Sequence, residues 1–173
     1  MFRVALASLA LACLTSCLGT NPNLTEDGLG KPSLSVDFPT EATAGSTEEL
    51  LVEIDNPGPG DMSSFTVAFA NVAVGGTVGN ASPLLRPAPP PKRIGDDQQV
   101  SPSIASIEPE PVTLGEGGLV FRFGPLPEEE SATVSFEVVV PEEPGTYANS
   151  IQVFDSQVLD RIDAVKVQVE VVD

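Results

Sequence analysis

From about residue 34 onward, apolar and polar residues alternate with a period of two. Leu34, Val36 and Phe38 alternate with Ser35 and Asp37, and Leu50, Val52 and Ile54 flank Leu51 and Glu53. The pattern returns at Phe65, Val67 and Phe69, at Leu119, Phe121 and Phe123, and at Val134, Phe136, Val138 and Val140. Tyr147, Ile151 and Val153 share one face, and Val165, Val167, Val169 and Val171 alternate with polar neighbours. A strand sends successive side chains to opposite faces, so these segments read as strands with one face in a core and one in water. β-branched and aromatic residues dominate them, as the pleated surface favours. Asn56-Pro57-Gly58-Pro59-Gly60, Gly115-Glu116-Gly117-Gly118 and Pro141-Glu142-Glu143-Pro144-Gly145 supply turns between strands. Beyond residue 16 no sustained 3.6-residue period appears. Seven or eight short strands with turns between them predict an all-β protein, a single antiparallel β-sandwich of Greek-key type over 34–173.

Residues 75–102 break this rhythm. Five prolines fall between positions 83 and 91, and proline fixes φ and donates no hydrogen bond, so a central strand is not expected there. The stretch reads as a long insertion, peripheral to folding. Arg86, Lys92 and Arg93 make it a basic cluster, and Leu84 and Leu85 stand beside them. These five residues are the candidate partner contact, on the expectation that the two leucines are exposed.

The first residues are Met1, Phe2 and Arg3, followed by the largely apolar run Val4–Leu14 and then Leu14-Thr15-Ser16-Cys17. The run has the length of an export-signal core and is too short to span a bilayer, which takes about 20 residues. A branched residue, two small ones and Cys, in that order after a charge and an apolar run, resembles the lipobox of bacterial lipoproteins. The resemblance implies that residues 1–16 are a signal peptide and that Cys17 is lipidated and becomes the first mature residue. It also implies anchoring to a bacterial cell membrane or outer membrane. The alternative is cleavage after Ala10-Leu11-Ala12, which leaves Cys17 a free thiol. Residues 17–33, rich in Gly, Asn and Pro, read as a flexible tether.

Charge and composition then narrow the function. The chain of 173 residues carries 25 acidic against 8 basic side chains, a net −17. Loss of residues 1–16 removes only Arg3 and leaves −18 over 157 residues. Such a surface repels nucleic acid and anionic headgroups. The chain has no His, and its two Cys are Cys13 and Cys17. With Cys13 in the signal, no internal disulfide is available. Absence of His excludes Ser-His-Asp and Cys-His catalysis and His-ligated zinc. Asp155, Asp160 and Asp163 cluster near the last loop as weak metal candidates. They lack the alternating Asp and central Gly of a calcium loop, and a solvated acidic loop is the better reading. Glu128, Glu129 and Glu130 read as an exposed turn.

Three segments carry a second resemblance. They are Val52-Glu53-Ile54-Asp55-Asn56-Pro57-Gly58-Pro59-Gly60, Leu126-Pro127-Glu128-Glu129-Glu130-Ser131-Ala132-Thr133-Val134 and Gly145-Thr146-Tyr147-Ala148-Asn149. Together they resemble the Ig-like repeat domains of bacterial surface proteins, related to the domain of unknown function 11 and to adhesion-type sandwiches. Glu129 stands where those domains often have Gly, the Pro-rich insertion is unusual, and one copy is present. The resemblance implies an Ig-like sandwich. It places Tyr147 at a tyrosine corner, with a plain core aromatic as the alternative, and Asn149 where antibody domains have a disulfide Cys. The expected function is non-catalytic: a lipid-anchored envelope protein in adhesion, envelope architecture or protein–protein assembly. No cofactor is expected, and the partners are the membrane, through Cys17, and another envelope protein or surface component. The alternative is a solute- or cation-binding lipoprotein.

Overall fold

The computed structural model describes residues 31–70, 72–73, 76–77, 81–92 and 97–173. Cys17, the expected signal at 1–16, nearly all of the expected tether at 17–33 and Arg93 lie outside them. Thirteen strands follow one another: β1 Ser33–Asp37, β2 Glu41–Thr43, β3 Thr47–Asp55, β4 Phe65–Ala70, β5 Val72–Ala73, β6 Gly76–Thr77, β7 Ser82–Pro83, β8 Ile104–Glu108, β9 Thr113–Leu114, β10 Val120–Arg122, β11 Ser131–Val139, β12 Gly145–Asp155 and β13 Val158–Val172. The only helical turn among the described residues is a 3-10 turn at Glu116–Gly118.

Two sheets form the sandwich. One has the order β1-β3-β11-β8, and the other β2-β13-β12-β4-β10-β9, with β7 added beside β12. Taking β1, β3, β4, β8, β11, β12 and β13 as immunoglobulin strands A to G gives ABED facing CFG, the Ig arrangement. The alternating segments read from sequence fall on β1, β3, β4, β10, β11, β12 and β13. β2, β8 and β9 were not read as strands: β2 and β9 have only three and two residues, and in β8 the apolar Ile104 and Ile107 stand three apart, out of period two.

Both inner faces are apolar. Leu50, Val52, Ile54, Val134, Phe136 and Val138 from the first sheet meet Phe65, Val67, Phe69, Phe121, Ile151 and Val153 from the second. The Phe136 ring lies 5.1 Å from Phe69 and 5.3 Å from Phe121, so three rings from both sheets interlock at the centre. On β13, Val167, Val169 and Val171 are buried and Val165 is half-buried.

The two turns of the second resemblance meet in space. Asn56 is fully buried, and its Nδ2 donates to the carbonyls of Gly60 and Leu126, both at 3.0 Å. Its Oδ1 accepts the Gly58 N–H at 3.1 Å. The Glu129 N–H donates to the Asn56 carbonyl at 2.8 Å. Gly58 has φ +83°, a left-handed conformation that calls for glycine, while the atoms nearest a Cβ there are those of the exposed Glu128 side chain, which can swing aside. The Tyr147 hydroxyl donates to the Glu143 carbonyl at 2.9 Å, the bond back to the chain that defines a tyrosine corner.

Candidate functional site

The Pro-rich stretch is anchored into the sandwich. β4 ends its pairing with β12 at Ala70, opposite Ser150. β7 takes the vacated edge of β12 in parallel, Ser82 opposite Tyr147 and Pro83 opposite Ala148. The chain then bends, so two consecutive side chains turn inward. Leu84 is 2% and Leu85 1% exposed, both within the core cluster. Asn149 joins the two neighbours of β12: its Nδ2 donates to the Ala70 carbonyl at 3.2 Å, and its Oδ1 accepts the Leu85 N–H at 2.8 Å. The expectation that Leu84 and Leu85 form an exposed contact is therefore overturned, and with it the view of this stretch as peripheral. An arm rich in proline can still anchor, because its N–H groups at 84 and 85 remain free to donate.

Further bonds hold the rest of the arm. The Arg86 N–H donates to Ser103 Oγ at 3.2 Å, and the Ala88 N–H to the Gly117 carbonyl at 2.7 Å. Gly118 lets the backbone of 99–101 approach so closely that a Cβ would stand 2.1 Å from the Gln99 carbonyl. Arg86 and Lys92 are exposed. Arg86 borders a shallow recess of about 370 Å³ with Ser103, Pro141, Glu142 and Glu143. On the other side of the arm, Pro87, Pro90 and Pro91 face Leu119 and Val120 across a groove of about 760 Å³.

Of the three aspartates, Asp155 and Asp163 take separate structural roles. Asp155 is fully buried, not solvated as expected; its Oδ1 accepts the Gln157 N–H at 2.8 Å, while Oδ2 has no hydrogen-bond partner among the described residues. It caps the β12–β13 hairpin as an Asx turn. Asp163 is half-buried and links the sheets at one margin of the sandwich. Its Oδ2 accepts the Leu34 N–H of β1 at 2.8 Å and its Oδ1 the Ala164 N–H of β13 at 2.9 Å. Both N–H groups belong to edges that would otherwise stand open. Asp160 lies on β13, and its side chain is outside the described set. Among the described residues, no group of three or more Cys, Asp or Glu is placed to hold a metal ion, and no helix is long and apolar enough to cross a membrane. Glu128, Glu129 and Glu130 are exposed.

The two outer faces differ sharply in chemistry. On β1, β3 and β11, the outward positions include Asp37, Glu49, Glu53, Asp55 and Glu137, and no Lys or Arg. Serines on adjacent strands donate to these acids: Ser35 to Glu53 at 3.1 Å, Ser135 to Glu49 at 2.8 Å and Ser106 to Glu137 at 2.8 Å. Glu49 and Glu137 stand directly opposite each other, a repulsive pairing that these hydroxyls moderate. Across the other outer face one row runs Ile162, Phe154, Thr66, Arg122, Thr113, and the next Ala164, Gln152, Ala68, Val120. Neither row holds a carboxylate. Ile162 is 42% exposed, and Leu159, in the same shallow depression as Phe154 and Arg122, is 64% exposed. Arg122 Nε donates to the buried Ser64 Oγ at 3.0 Å, and the guanidinium makes no ion pair among the described residues. The sequence reading missed this face. Its signal was present in the outward positions of β4 and β12, where Thr, Ala, Gln and Phe replace the Glu and Asp of β3.

No family model matches the sequence, and no curated protein matches it. Solved structures that resemble it do so at low identity. A CARDB domain from Pyrococcus furiosus aligns over 84% of this chain and 97% of its own, with 13% identity and a TM-score of 0.48. The human F-spondin reeler domain aligns over 85% and 96%, with 13% identity and a TM-score of 0.43. A PapD-like domain of human CEP192 aligns over 98% and 95%, with 15% identity and a TM-score of 0.39.

Proposed function

We propose that the chain is exported, lipidated on Cys17 and held at a bacterial cell envelope, where its sandwich acts as a non-catalytic interaction module in adhesion, envelope architecture or protein assembly. The observation that carries the reading is the order of Arg3, the apolar run Val4–Leu14 and the box Leu14-Thr15-Ser16-Cys17. Two acyl chains on one Cys hold a protein to a bilayer without a spanning helix, at about 0.8 kcal/mol per buried methylene. The segment from Cys17 to β1 supplies reach, and the sandwich supplies large, chemically distinct faces. The acidic sheet face keeps the module soluble and apart from anionic headgroups. An outer face with aromatic and aliphatic side chains around one arginine has the composition of a protein-binding surface.

Membrane partition tests the anchoring. Wild-type protein should follow the detergent phase on phase separation, and Cys17→Ala should lose the lipid label and leave that phase. Recovery of both proteins in the aqueous phase without label would overturn the proposal.

A further inference from the structure

We propose that the two outer faces of the sandwich are complementary and that copies of this chain stack head to tail, the Arg122 face of one copy on the Glu49–Glu53 face of the next. This deepens the assembly role proposed above by naming the partner as a second copy. The charge pattern carries it. Arg122 is held in place through Ser64 yet has no acidic partner among the described residues of a chain with 25 carboxylates. Lys166, exposed on the same sheet face, donates to Gln168 and makes no ion pair among the described residues. That face carries Glu170 and Glu41 at its far end, on β13 and β2, and no carboxylate in the two rows around Arg122; the denser acidic surface is the back of the same molecule, where Glu49, Glu53 and Asp55 lie along β3 with no cation among them.

Each face also has an apolar centre. Leu51 is half-buried amid the acids, and Phe154 is half-buried beside Leu159 and Ile162 on the other side. Two antiparallel sheets stack face to face through such centres at about 10 Å, as the two sheets within this sandwich do. Packing two Arg122 faces together would oppose like charges, and packing two acidic faces would do so more strongly. Front-to-back stacking alone pairs opposite charges. A front-to-back contact uses different surfaces on the two copies, so it leaves a free face at each end and propagates beyond a dimer. The contact is of the weak class, whose population rises with local concentration.

Sedimentation equilibrium of the full chain at about 0.1 to 1 mM reads this directly. The average mass of the wild type should rise with concentration past that of a dimer. Arg122→Gln with Lys166→Gln, and separately Glu49→Gln with Glu53→Gln, should each weaken association about tenfold, the loss of one well-placed charge pair. An equimolar mixture of the two variants should form a 1:1 dimer and stop there, because one intact front meets one intact back. Lys166→Gln alone, far from the Ser64 bond, should give a smaller loss and serves if the double variant misfolds. The proposal is overturned by a wild type that stays monomeric, by association that ends at a dimer the Glu variants leave intact, or by a mixture that shows no dimer. Failure here leaves the Cys17 reading untouched, since association is read in solution without reference to the lipid.

Discussion

At Glu129 the backbone adopts φ +60°, a left-handed conformation that glycine takes freely and a side chain with a Cβ does not. The position closes the Pro127–Glu130 turn against Asn56, and its N–H bond to the Asn56 carbonyl holds that conformation in place. Glu129→Gly should relieve the Cβ strain of about 1–2 kcal/mol while adding chain entropy to the unfolded state. The net expected gain is about 0.5–1 kcal/mol, read as a melting temperature raised by about 2–3 °C. An unchanged or lower melting temperature would show that the turn gains nothing from glycine. The same residue shows what single-residue reading reaches. The departure from Gly at 129 was visible in the sequence, as was the role of Asn-Pro-Gly-Pro-Gly as a turn. That the two turns meet at one buried asparagine was not, because nothing local to either segment encodes the other. Asp155 and Asp163 make the same point. As residue types near a loop they read as solvated, and only the hairpin and the sheet margin reveal a buried Asx cap and a link between edges.

At the scale of elements, long strands were legible and the arm was not. β3, β11, β12 and β13 have nine or more residues each, enough for alternation to declare both strand and inward face. The arm offers two paired residues followed by a bend, and its prolines argue against a strand. Burial of Leu84 and Leu85 depends on β4 leaving a vacant edge on β12, which is a tertiary fact. The consequence is specific. Leu84→Ala or Leu85→Ala should leave a cavity costing about 2–5 kcal/mol, lowering the melting temperature by roughly 10 °C. Lys92→Ala, on the exposed part of the same arm, should change it little. Equal, small effects at all three positions would contradict an anchored arm. Of the arm's basic residues, Arg86 sits beside the recess with Glu142 and Glu143, and Lys92 is exposed.

Across the whole molecule, composition and architecture divide the work. A chain with no His and with its two Cys both within the first 17 residues depends on burial, and the sandwich supplies it from both sheets. Charge is not spread evenly over what remains outside. One sheet face holds the serine-bonded acids, and the other Arg122 and the exposed Leu159 and Ile162. Net charge was readable from the sequence, but this segregation required the strand order, since β3 and β11 form one face and β4, β10, β12 and β13 the other. The proposed tether ties this two-faced module to a membrane, and its proposed place at the envelope rests on Cys17. Intact-mass and N-terminal analysis of the protein isolated from its own cell envelope tests that most directly. The account predicts a chain that begins at Cys17 and carries acyl mass on that residue. An unmodified chain beginning elsewhere, or one that retains residues 1–16, would contradict it.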